Sequence, residues 1–192
     1  MRRERAVEAD WEVEMGPRAP VIDALWEGFV DLTNDPALAK VLPEVAVLPQ
    51  LEHALIRLNE PQSPVWTAKC DVWALDGPES FDPDELDAPE QDALSGWGCY
   101  VDLLPRSDQQ WGDVARAVAS CKYLCGQLHV ISLRCCRADL VVRSAMMAPY
   151  VIDVGITAYL IACGATADDA KQVLGEALAG LANTVFCHSA VE

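Results

Sequence analysis

Lys69, Asp71 and Trp73 stand two residues apart, and Tyr100 and Asp102 repeat that spacing later in the chain. Residues two apart share one face of an extended strand. A face of this kind offers carboxylates for proton transfer or hydrogen bonding, cations to balance them, and rings for a ligand to stack on. Arg137, Asp139 and Arg143 extend the set, and so do Asp153, Thr157 and Tyr159. A merely solvated face favours Lys, Glu and Thr. One that mixes aspartates, arginines and aromatics has the composition of a binding surface. The plain alternative is an exposed face with cross-strand ion pairs and ring contacts.

Other constellations carry less. Cys121, Cys125 and His129 recur every four residues, and Cys187-His188 could complete a zinc site. However, Cys121 and Cys125 fall where a helix needs its apolar stripe, and free cysteine is commonly a small buried hydrophobe. The tight spacings of structural zinc sites are absent, so neither a metal nor a cofactor is expected. Cys135 and Cys136 point to opposite faces if extended, which makes them a poor redox pair. There is no Gly-x-Ser-x-Gly, no phosphate-binding glycine loop and no His-Glu-x-x-His. His53, His129 and His188 lie on or beyond helix ends and read as surface or capping residues. The run Phe81 to Asp87 has oxygen ligands but neither the order nor the turn glycine of a calcium loop.

The elements that must position these residues follow from hydrophobic period. Trp11, Val13 and Met15 alternate with acids and predict a strand. Trp26 to Leu32 is read as another, because Phe29-Val-Asp-Leu resembles Tyr100-Val-Asp-Leu. Short helices are predicted from Pro36 to Val41 and from Pro49 to Asn59, with proline in the first turn. The next strand runs from Val65 to Leu75. Trp66, Ala68, Cys70, Val72 and Ala74 are assigned to one face, and Thr67, Lys69, Asp71 and Trp73 to the other. Asp76 to Asp92 holds eight acids, no base and three prolines. It reads as a solvated loop insertion with almost no core residues besides Phe81 and Leu86.

Trp97 to Leu104 is a strand. Ser107 and Gln110 have the spacing of a capping box before a helix whose buried face is Trp111, Val114, Val118, Cys121, Cys125 and Leu128. Strands are predicted from Leu133 to Arg143 and from Tyr150 to Cys163. Thr166 and Asp169 open a last helix with Ala170, Val173, Leu174, Ala177, Leu178, Leu181 and Val185 inward. This order predicts a single α+β domain over 1–192, with a mainly antiparallel sheet and helices on one face. Strand-strand-helix recurs three times, which suggests internal repeats and a ferredoxin-like or half-barrel relative.

The chain has 192 residues and a formal charge of −16. Such acidity opposes binding to nucleic acid or to anionic membranes. It permits a basic protein partner or a cationic ligand. No secretory leader is expected, because no apolar run follows the charged start Met1 to Arg5 before Asp10, and no membrane span, because Pro149, Asp153, Gly155 and Thr157 break the greasiest stretch. Cysteines on apolar faces imply reduced thiols and a cytoplasmic location. Three functional readings stand open: a module that binds a small polar ligand or forms a homo-oligomer through the mixed face, an enzyme using Asp71, Asp102 and Asp139, and an acidic inhibitor or immunity-type protein that blocks a basic target.

Overall fold

A computed structural model describes residues 21–22, 29–106, 113–129, 131, 133–143, 145–147 and 154–188. The elements are β1 (Val21–Ile22), α1 (Pro43–Val47), α2 (Gln50–Asn59), β2 (Val65–Leu75), β3 (Ser95–Pro105), α3 (Val114–Leu128), β4 (Cys136–Arg143), β5 (Met146–Met147), β6 (Gly155–Gly164) and α4 (Ala167–His188), with 3-10 helices at Pro36–Val41, Pro78–Ser80 and Glu90–Asp92. β2, β3, β6 and β4 lie side by side in that order, every neighbour antiparallel. β1 and β5 form a separate short parallel pair. No helix among the described residues is long and apolar enough to cross a membrane.

The helices form one layer on one face of the sheet. Alternation delivers Val101, Leu103, Leu140, Val142, Ile156, Ala158 and Leu160 to that side, where they meet Leu51, Leu55 and Leu58 of α2, Cys121 and Leu124 of α3, and Leu174, Leu178 and Leu181 of α4. The start of α4 is capped reciprocally. The Asp169 amide donates to Thr166 Oγ1 at 3.2 Å, and the Thr166 amide donates to Asp169 Oδ2 at 3.1 Å. α3 starts at Val114, with the Asp113 carboxylate accepting from the Arg116 amide at 2.8 Å. The predicted capping residues Ser107 and Gln110 lie outside the described residues, as do Trp11 to Met15 and Asp153.

Several expectations change. Val114, predicted on the buried face of α3, is exposed, and the strand predicted from Leu133 begins at Cys136. Phe29 to Leu32 is not a strand; Asp31 instead accepts hydrogen bonds from Thr33 and Asn34 and shapes a turn. The likeness to Tyr100-Val-Asp-Leu therefore reflects local composition and not pairing. β2 also carries a bulge between Thr67 and Cys70, so two residues oppose Asp102 of β3. An extra residue inverts the alternation. Thr67 turns to the helix side, where Asn59 donates to its hydroxyl at 2.7 Å and accepts from its amide at 3.0 Å. Trp66 turns to the opposite side and packs with Leu104 and Ala145.

Candidate functional site

The face away from the helices is laid out in rungs. Asp71, Tyr100, Tyr159 and Asp139 are successive partners across all four strands. Two tyrosines therefore occupy the middle, with a carboxylate at each edge. The next rung on one side joins Trp73, Gly98, Ile161 and Arg137. The rung on the other side joins Asp102, Thr157 and Val141. The face is closed at one end by the Trp66, Leu104 and Ala145 cluster.

Gly98 explains how a tryptophan fits here. A Cβ at that position would lie 2.4 Å from the Trp73 ring. The ring covers bare backbone, the use of a strand glycine where something must approach closely. Gly96 serves Phe81 of the acidic loop between β2 and β3 in the same way, at 2.7 Å. The Trp73 and Tyr100 rings are 6.3 Å apart, and Tyr100 and Tyr159 are 5.8 Å apart, both tilted. These distances lie within the range of favourable ring contacts. Three half-buried rings thus cross β2, β3 and β6 in a row. At its far end Arg143 donates to the Tyr159 hydroxyl at 3.0 Å.

The charged groups divide sharply. Asp102 is only 8% exposed, and the Thr157 hydroxyl donates to its Oδ1 at 2.6 Å. Burial raises its carboxyl above the ordinary range. The Thr157 hydrogen bond and the charges of Lys69 and Arg143 pull the other way. Burial, reinforced by Asp102 and Asp71, pushes the Tyr100 hydroxyl up to about 12. Asp139 is tied to Arg137 Nε at 2.8 Å, and Arg137 also holds Glu85 at 2.6 Å. Asp71 is exposed and accepts from the Val72 amide.

No protein-family model, curated protein or solved structure matches the chain.

Most of the residues singled out in the sequence thus share one face. Lys69, Asp71, Trp73, Tyr100, Asp102, Arg137, Asp139 and Tyr159 all belong to it, together with Arg143 and Thr157. Sequence reasoning missed Gly98 and Glu85. Two glycines alternating with Trp97 in a strand were a usable sign of close ring approach. Nothing in the sequence marked Glu85 among its acidic neighbours. The acidic segment is also less solvated than its composition predicts. Leu86 is 2% exposed, and Asp87 stands 4.0 Å from Arg134. Cys121 and Cys125 are buried in the helix-side core. Among the described residues no cluster of three or more His, Cys, Asp or Glu is arranged to hold a metal.

Proposed function

We propose that this protein is a cytosolic binding module whose ligand lies on the ring row of the sheet. The ligand is a small polar molecule with one apolar side and several hydrogen-bond donors. One observation carries the reading: Trp73, Tyr100 and Tyr159 form a half-buried row beside a buried carboxylate, Asp102. Rings supply area at little entropic cost, because each has only two side-chain torsions. Asp71 and Asp102 supply acceptors beside them. Arg137 is already committed to Asp139 and Glu85, which leaves the face richer in acceptors than in donors. Hydroxyl or ammonium groups suit such a surface better than phosphate or carboxylate.

The test is native mass spectrometry of protein purified from its own cell extract, with and without Trp73→Ala plus Tyr100→Ala. The expected result is a retained small molecule that the double variant loses while still melting cooperatively. A folded double variant with unchanged mass and ligand content would refute the proposal. Loss of a dimer instead of a small molecule would assign the face to self-association.

A further inference from the structure

The rung beyond Trp73 brings two thiols together. Cys136 pairs with Ala162 at the end of the β4–β6 ladder, and one step further the Cys163 amide donates to the Cys135 carbonyl at 2.8 Å. Cys135 and Cys163 are therefore directly opposed. A shared backbone bond of this length keeps the two Cα atoms near the roughly 4.4–6.8 Å that a disulfide spans, although Cys135 itself lies just beyond the paired ladder. The two thiols lie close enough that each perturbs the ionisation of the other. The backbone supplies a second observation. Cys135 has φ of 61°, a left-handed conformation that residues with a Cβ rarely adopt. Such outliers concentrate where a side chain must be aimed for a purpose.

We propose that Cys135 and Cys163 are an oxidation site that closes into a reversible cross-strand disulfide. The two thiols differ in access, and this sets the order of events. Cys163 is fully buried, whereas Cys135 is half-exposed. A hydroperoxide reaches Cys135 first. The Cys135 sulfur takes one peroxide oxygen, the O–O bond breaks, and the peroxide leaves as an alcohol, or as water when it is hydrogen peroxide. The Cys163 sulfur then attacks the resulting sulfenic sulfur. The S–S bond forms, the S–O bond breaks, and the hydroxyl leaves as water with the thiol proton. In sum the thiols lose two electrons and two protons to the peroxide. Reaction is slow, since burial pushes the Cys163 thiol up to about 12 and raises that of Cys135 as well. The fixed geometry is what favours this pair over others. Cys70 and Cys99 are only diagonal, each opposite a valine.

The test exposes the reduced native protein to hydrogen peroxide, blocks remaining thiols in denaturant, and maps peptides without reduction. The expected product has two fewer free thiols than the eight in the sequence. Its one cross-linked peptide pair joins Cys135 to Cys163, and dithiothreitol reverses it. In Cys163→Ala, a dimedone adduct should accumulate on Cys135 with no cross-link. A cross-link that joins Cys135 to Cys136, or any other pair, would overturn the proposal. So would two unmodified thiols at exposures that oxidise the methionines. The mapping uses unmutated protein, so failure of a variant to fold does not affect it.

Discussion

The two faces of this sheet are made by the same four strands, yet they are built on opposite terms. On the helix side Cys99, Val101, Leu103, Ile156, Ala158 and Leu160 are at most 1% exposed. On the other side Tyr100, Asp102, Thr157 and Tyr159 alternate with them residue by residue. The first face is held by removal of apolar surface from water, which needs size and shape but no particular partner. The second is held by particular pairs: Thr157 to Asp102, Arg143 to Tyr159, Arg137 to Asp139 and Glu85. Specific polar pairs contribute little to net stability, because they replace bonds to water. A face furnished this way therefore owes little of its composition to stability, which is what the proposed binding role requires.

The comparison breaks most directly by truncation on each face in turn. Leu103 is fully buried among helix-side residues. Leu103→Ala should cost about 2–5 kcal/mol, the range for cavity-forming core changes. Tyr100, on the opposite face of the same strand, keeps part of its ring in water. Tyr100→Ala should cost less than half as much. Urea denaturation of both variants checks this. Equal losses would mean that the ring row is a second core and that no ligand is needed to account for it.

A smaller effect is expected from the segment that edges the site face. Its composition predicts that replacing Gly77 to Gln91 by a short Gly-Ser turn changes little. The structure leads to a different expectation. Leu86 is buried, Phe81 lies over Gly96, and Glu85 is bonded to Arg137. Replacement should therefore cost about 2 kcal/mol, or roughly 4–8 °C in Tm for a domain of this size. A melt within about 1 °C of the parent would restore the solvated reading.

These cases also show what was legible in the sequence and why. β2 and α4, with their flanking turns and caps, follow from period and from residues whose preferences are local, such as Thr166 and Asp169. The site face was legible because alternation is local too. The bulge at Thr67 was not. Trp66 and Ala68 are apolar on either alternative, and only pairing with β3 reveals which way they turn. Strand order, the Glu85–Arg137 contact and the opposition of Cys135 to Cys163 share that cause. Each depends on residues distant in sequence, and no periodicity within one segment carries it.

The smallest expected effect sharpens the comparison at its most unusual point, the buried carboxylate. Asp102→Asn keeps the shape and still lets the side-chain oxygen accept the Thr157 hydroxyl. It removes the charge that burial disfavours, along with the attraction of Lys69 and Arg143. These changes oppose one another, so stability at neutral pH should move little. The pH dependence should move more clearly. Burial raises the Asp102 pKa from its ordinary 3.8, so the folded state keeps this proton to higher pH than the unfolded chain does. In that window the folded form binds more protons, and stability falls as pH rises. The parent should thus lose stability relative to Asp102→Asn between the ordinary carboxyl range and the raised pKa, and run parallel to it above. Urea denaturation of both proteins across a pH series measures the difference. A parent that gains on the variant as pH rises would mean that Lys69, Arg143 and Thr157 outweigh burial. Asp102 would then be a paired structural charge, comparable to Asp139, and the site face would lose its strongly desolvated carboxylate.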